Sequence, residues 1–125
     1  MSSRRNTKFS DLLLGATQLL EQSKSTSLGS DGRLDIQVVI DNGAGAAPTD
    51  SPAGAFQLWC SSDPDGVLWS RVTQADAELA KIAPSGNTLV SAYAVLEDVP
   101  GTSFKLIYVR SSGGAAARAR VRVTT

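Results

Sequence analysis

The chain has 125 residues, 42% hydrophobic and 19% charged, a composition typical of one folded domain rather than of a disordered segment. Twelve Lys and Arg balance twelve Asp and Glu, and this zero net charge argues against a nucleic-acid or anionic-membrane partner. The sequence has no histidine, the commonest general base and metal ligand, and its single cysteine, Cys60, excludes an intrachain disulfide.

The charges are unevenly distributed along the chain. Residues 99–125 carry five cations and no acid, whereas residues 31–98 carry ten acids and three cations. An acidic middle could therefore meet a basic end, within one molecule or between neighbours. No run approaches the roughly 20 apolar residues of a membrane span, and the first residues lack a secretory-signal pattern. We therefore expect a soluble protein that is made in a reducing compartment.

Residues 1–24 are predicted to form an N-terminal arm and a short helix. The polar and basic residues 1–8, MSSRRNTK, have little to bury, so we expect a neighbouring subunit or another protein to hold them. In FSDLLLGATQLLEQ the apolar residues recur with the spacing of an amphipathic helix that Ser10 can cap. Gly15 weakens this helix, and a strand is the alternative. The candidate partner-binding residues of this region are Arg4, Arg5, Lys8, Leu12 and Leu19.

From residue 25 onward the apolar residues alternate with a period of two, which is typical of β-strands. In RLDIQVVID, the side chains from Leu34 to Ile40 alternate between an apolar and a polar face. The small residues 42–54 that follow predict a long exposed loop, of a length that is often functional or ordered by a partner. The segment AFQLWCSSDPDGVLWSRV predicts a hairpin with a DPDG turn, which places Trp59 and Trp69 on one face.

The rest of the chain adds three strands. The segment TQADAELAKIAPSG is ambiguous between a short helical turn and an irregular strand. Strands are predicted over residues 89–96, 103–110 and 115–123, separated by the turn sequences EDVPGT and SSGG. Six or seven short strands with regular turns indicate an antiparallel sandwich or barrel. We predict a mainly β protein: a single antiparallel β-sandwich of jelly-roll type over residues 25–125.

The last predicted strand, in GGAAARARVRVTT, places Arg118, Arg120 and Arg122 at alternate positions. Alternate residues on a strand lie about 6.6–6.8 Å apart, a spacing compatible with phosphates. Proteins that bind single-stranded nucleic acid also carry stacking aromatics, and only Ala and Val lie between these arginines. We therefore expect a strand whose arginines face solvent or the carboxylates of a protein neighbour. Arg120→Glu is expected to weaken assembly and to leave the isolated fold intact.

The sequence offers little enzymatic chemistry. The NGAGAA stretch lacks the glycine spacing of a dinucleotide fingerprint, and no P-loop occurs. The paired acids Asp63 with Asp65, and Glu97 with Asp98, lie in turn sequences, where aspartate usually bonds local backbone. Asp41 is not followed by the ligand series of a calcium loop. We predict no catalytic site, no cofactor and no bound metal.

The segments FQLWCSSDPDGVLWSRV and PGTSFKLIYVRSSGG, with the closing strand, resemble the small β-sandwich capsid cement or decoration proteins of tailed bacteriophages. The opening FSDLLLGATQLLEQSKSTSLG is similar in character to their N-terminal segments.

The resemblance implies a non-enzymatic virion protein that is made in the host cytoplasm and binds the major capsid protein on the capsid surface, as a homo-oligomer, either a dimer or a trimer. It implies no specific nucleic acid and no membrane. The alternative is a carbohydrate- or receptor-binding sandwich of a tail or baseplate, which predicts Trp59 and Trp69 exposed around a groove.

Overall fold

A computed structural model describes residues 7–13, 18–19, 26–27, 32–50, 53–63, 67–113 and 117–125 of the chain. Over these residues the protein is mainly β, as predicted, with nine strands and one short α-helix. The strands are β1 (Thr7–Leu13), β2 (Gln18–Leu19), β3 (Thr26–Ser27), β4 (Leu34–Asp41), β5 (Ala53–Ser61), β6 (Ser70–Arg71), β7 (Val90–Leu96), β8 (Ser103–Ser112) and β9 (Arg118–Thr124).

The strands pair in two antiparallel sheets. In the described part of the chain, sheet A has the strand order β1-β9-β4-β7, and sheet B has the order β2-β8-β5-β6, with β3 also paired to β8. Four sets of pairs nest within one another: β5 with β6, β4 with β7, β8 with β2 and β3, and β9 with β1. The chain is thus a long antiparallel ribbon that turns back between β5 and β6. The ribbon is rolled so that β9 also meets β4 and β8 also meets β5.

The alternation of apolar and polar residues decides which faces are buried. Leu34, Ile36, Val38 and Ile40 of β4 are fully buried, and the residues between them are partly exposed or polar. The inward-facing apolar residues of β7 and β9 in sheet A and of β5 and β8 in sheet B belong to the same buried cluster. Burial of one such aliphatic side chain contributes about 1.5–3 kcal/mol, so this cluster is the main source of stability.

The segment between β6 and β7 is helical, which resolves the ambiguity of its sequence. A 3₁₀ turn (Thr73–Ala75), the helix α1 (Asp76–Leu79) and a second 3₁₀ turn (Ala80–Ile82) follow one another directly. Ala75, Leu79 and Ile82, at positions i, i+4 and i+7, are buried in the cluster. The segment therefore adds one apolar face to the core beside β5 and β7.

The predicted N-terminal helix is wrong over the described residues. β1 pairs with β9 along its whole length, and β2 pairs with β8. Without β1, strand β9 would end sheet A with a row of unpaired backbone groups, so strand pairing satisfies more hydrogen bonds than a short helix containing Gly15 does. Leu12 and Leu19, predicted on one helix face, lie in different sheets. The arm residues 1–6 and residues 14–17 and 20–25 lie outside the described residues, and the proposed division at residue 24 stays a prediction.

The predicted β5–β6 hairpin and the three later strands are confirmed. β5 begins at Ala53, two residues inside the predicted loop, and residues 64–66 of the DPDG turn lie outside the described residues. The β7–β8 turn packs against the end of β5, where Thr102 N–H donates to the Ser61 carbonyl at 2.9 Å. Gly101 has φ +89°, and a Cβ there would lie 2.8 Å from that carbonyl oxygen, so this contact requires glycine. No described helix is long and apolar enough to span a membrane.

Candidate functional site

The closing strand β9 lies between β1 and β4 in sheet A with its small apolar residues inward. Ala119 and Val121 are fully buried, whereas Arg118 and Arg120 are exposed and Arg122 is half-buried. The predicted outward arginine row is therefore confirmed. It lies on the outer face of sheet A, at the middle of the sheet rather than at its edge.

Arg120 is tied to the acidic part of its own chain. Its Nη2 lies 2.7 Å from Oδ2 of Asp41, the last residue of β4, whose side chain is only 3% exposed. The other carboxylate oxygen of Asp41 accepts the Gly43 N–H at 2.8 Å. At this pair the acidic middle meets the basic end within one molecule. Arg120→Glu would bring a second carboxylate against a buried one, so we now expect this substitution to destabilise the fold.

Arg118 differs from its two neighbours. Arg122 donates from Nη1 to the Val121 carbonyl at 3.0 Å. Arg118 is exposed, and its side chain makes no hydrogen bond and no ion pair with the described residues. It is therefore the arginine of the row whose charge is available to a partner.

The loop after β4 is exposed, as predicted, and its first turn is held by its own residues. The Asn42 side-chain oxygen accepts the N–H groups of Ala44 and Ala46 at 2.8 and 3.2 Å, and Asn42 N–H donates to the Ala46 carbonyl. Such side-chain to backbone bonds are the reason that Asn and Asp favour turns. The start of the loop thus needs no partner to fix its shape.

A second cluster lies on the outer face of sheet B, around two tryptophans. Lys105 lies opposite Trp59 in β8, and its Nζ lies 6.0 Å from the Trp59 ring centroid and 4.5 Å from that of Trp69. Trp59 Nε1 also donates to the Gln57 side-chain oxygen at 3.2 Å. Both tryptophans are half-buried, and their predicted placement on one face is confirmed. The alternation of residues in β8 is enough to place Lys105 on this face. Its position beside the indoles follows from the pairing register of β5 with β8, which the sequence does not show.

A cavity of about 590 Å³ lies between the β5–β6 hairpin and the β7–β8 turn. It is lined by Cys60, Leu68, Arg71 and Gly101, among others. Asp63 Oδ2 accepts the N–H groups of Val67 and Leu68, so this turn aspartate fixes the backbone of two residues whose side chains are 72% and 74% exposed. No pattern in the sequence indicated this cavity.

The described residues among the paired acids lie in turns, and the cysteine lies in the core. Asp63 serves the turn, and Asp65 lies outside the described residues. Glu97 and Asp98 are exposed on the β7–β8 turn, where Asp98 has φ +54°. No three His, Cys, Asp or Glu side chains of the described residues are grouped as metal ligands. Cys60 is buried, and desolvation raises the pKa of its thiol to about 11.

The other predicted contact residues fall in separate places. Lys8 and Leu12 lie on β1, opposite Val123 and Ala119 of the arginine strand. Leu19 lies on β2, opposite Ile107 of β8. Arg4 and Arg5 lie outside the described residues. Comparison of the chain with protein-family models, curated proteins and solved structures finds no match.

Proposed function

We propose that the chain is a non-enzymatic structural protein of a bacteriophage virion: a decoration protein that binds the major capsid protein lattice from outside and stabilises the head. The observation that carries this proposal is the strand order. The strands form nested antiparallel pairs, and the sheets have the strand orders β1-β9-β4-β7 and β2-β8-β5-β6. This combination supports a jelly-roll sandwich. The buried cluster common to both sheets supports their packing face to face. Jelly rolls form capsid domains of viruses and also lectin domains.

A fold does not by itself assign a function, so the surface has to supply the partner. The outer face of sheet A carries the arginine row, and the Arg118 side chain makes no ion pair with the described part of the chain. An arginine on a rigid strand suits a carboxylate on a neighbouring protein, because its side chain donates two parallel hydrogen bonds. The proposed partner surface on the capsid protein is therefore acidic, and the proposed protein is a homo-oligomer that works on the capsid surface.

The test is binding to capsids that lack the protein. Arg118→Glu is expected to lower capsid occupancy by about tenfold at low salt, with a smaller difference at high salt. Arg110→Glu makes the same charge change at the end of β8 in sheet B and serves as the matched control. Occupancy is measured by gel densitometry of sedimented capsids. Capsids without the protein should also break at lower temperature and under osmotic shock. Equal resistance with and without it would contradict the proposal.

The tryptophan cluster supports a second candidate, a carbohydrate- or receptor-binding module of a tail or baseplate. Trp59 and Trp69 are both partly accessible on one face. The 590 Å³ cavity is lined by their chain neighbours Cys60, Leu68 and Ser70 rather than by the indoles themselves. Indole rings stack on sugar rings, and the hydroxyls and charged groups that line the cavity can bind sugar hydroxyls. This candidate predicts glycan-array binding that Trp59→Ala or Trp69→Ala abolishes. Capsid binding that both variants retain, with no glycan bound by the wild type, would exclude it.

A further inference from the structure

Strand β7 is an edge strand of unusual composition. It ends sheet A, and among the described residues only β4 pairs with it. The chain from Ala83 to Leu96 has no charged residue, and β7 itself has no proline or glycine. Of the five large apolar side chains exposed in the described part of the chain, three lie here: Leu89 (54%), Tyr93 (58%) and Val95 (39%). Soluble proteins usually protect an edge of this kind with charges, proline, a bulge or a covering helix. Of these, β7 has only the neighbouring helical segment, which contacts it with Glu78 at Val95.

One hydrogen bond shows which backbone groups of β7 face the open edge. The pKa of the Glu78 carboxyl of α1 is lowered first by the bond from Lys81 and also by a bond from the Val95 backbone N–H, and this bond places the Val95 amide away from β4. Backbone groups alternate in direction along a strand, and β7 pairs with β4 without a bulge. The N–H and C=O groups of Ser91 and Tyr93 therefore also point away from β4, and neither residue has a backbone partner on that side in the described part of the chain.

We propose that two copies of the chain associate through β7, in an antiparallel pair about a two-fold axis at Ala92. In this register Ser91 of each copy lies opposite Tyr93 of the other, and these residues exchange four N–H to C=O hydrogen bonds. Leu89 lies level with Val95 of the second copy but beyond the hydrogen-bonded pairs, because the Glu78 carboxylate keeps the Val95 N–H on that side. Sheet A then continues from one molecule into the next.

The contact with Glu78 selects this register. An axis at Tyr93 would pair Ser91 with Val95 and would require the Val95 N–H that Glu78 occupies. An axis at Ala92 uses only Ser91 and Tyr93 and leaves the bond to Glu78 in place. The edge thus has two residues, Ser91 and Tyr93, with open backbone groups, and each copy supplies the hydrogen-bond partners for these groups of the other.

The charges at the ends of β7 favour a second copy in antiparallel orientation. Glu97 and Asp98 follow the strand directly, and in a parallel pair the acids of both copies would be adjacent. In the antiparallel pair, Glu97 of one copy lies opposite Asn87 of the other copy. Asn87 lies at the end of that copy's sheet A where Asp41 of β4 is the strand partner of Arg118 of β9. The uncharged strand β7 is therefore compatible with a second copy of itself in antiparallel orientation. Two-fold symmetry, which such a pair has, is the commonest symmetry of soluble oligomers. This inference does not depend on the capsid proposal.

The first experiment is sedimentation velocity of the purified full chain at concentrations from about 10 μM to about 1 mM, a range that detects the affinities of small interfaces. The expected species is a dimer, twice the chain mass of 13.0 kDa. Tyr93→Lys is expected to weaken dimerisation at least about tenfold, because it places a charge on each side of the axis. Leu68→Lys, at a more exposed apolar side chain on the β5–β6 hairpin, is the control and should not change it. Thermal unfolding of both variants confirms that the monomer fold is kept. A monomeric wild type at every concentration, or equal effects of the two variants, would overturn the proposal.

The second experiment tests the register by mixing two cysteine variants under mild oxidation. Residues of a hydrogen-bonded pair have Cα atoms about 5.5 Å apart, which a disulfide can bridge. Ser91→Cys mixed with Tyr93→Cys should give a cross-linked dimer, and either variant alone should give much less. The native Cys60 thiol is buried and does not compete. Two outcomes would overturn the Ala92 register: a cross-linked dimer that forms between two copies of Tyr93→Cys but not in the mixed pair, or no cross-linked dimer in the mixture.

Discussion

The Asp41–Arg120 pair predicts an asymmetric response to mutation. The carboxylate is 3% exposed and the guanidinium side chain is 49% exposed, so removal of either partner leaves the other in a different environment. In Asp41→Ala, Arg120 is left half in water and can be solvated. The loss is the ion pair and the bond to Gly43 N–H, about 1–2 kcal/mol of unfolding free energy. In Arg120→Ala, a buried carboxylate keeps only the Gly43 N–H.

The loss in Arg120→Ala should therefore be larger, about 3 kcal/mol. This figure is at the low end of the range for a broken buried ion pair, because water reaches the arginine side of this one. The double variant should cost less than the sum of the single variants, since it leaves no unpaired charge. Urea unfolding at neutral pH, followed by tryptophan fluorescence, gives all three values. A loss in Arg120→Ala no greater than that in Asp41→Ala, or additive losses, would refute the reasoning.

Three further predictions concern the interior of sheet B. Gly54→Ala should destabilise the fold by about 3 kcal/mol, because its Cβ would overlap the ring of the fully buried Tyr108, and the measurement is chemical denaturation. Tyr108→Phe should leave stability unchanged or raise it by about 1 kcal/mol, since the Tyr108 hydroxyl is buried without a partner among the described residues; a clear loss would show that the hydroxyl is bonded. The raised pKa of Cys60, about 11 against its ordinary 9.0, predicts stability that is constant below pH 9 and falls by about 2 kcal/mol as pH rises to 11. Unfolding free energies across that range should show a smaller fall in Cys60→Ala.

The strands that the sequence predicted are those whose burial alternates. β4, β8 and β9 each have one apolar face in the core, and a period of two is visible without knowing the partner strand. The outward direction of the arginine row followed from the same alternation. The position of β9 at the middle of sheet A did not, because strand order depends on which strands pair across the whole chain.

The N-terminal segment was misassigned for a related reason. The leucines of residues 9–22 have helical spacing, and local spacing was the available signal. What decides the structure is the pairing of β1 with β9, whose residues lie more than 100 positions later in the chain. The ion pair of Arg120 with Asp41 joins residues 79 apart and could not be inferred from charge counts, although the opposite charges of the two regions suggested that they would meet.

The rolled ribbon also has a consequence for the order in which the protein is made. β9 is the last of the described strands to be synthesised, yet it lies between β1 and β4 and is hydrogen-bonded on both sides. Until it emerges from the ribosome, β1 has no neighbour in sheet A, and the inward faces of β4 and β7 lack part of their cover. Such distant pairings make folding slow, and uncovered strands are prone to aggregate. Sheet A is therefore completed only after β9 has left the ribosome, and the protein is exposed to aggregation until then.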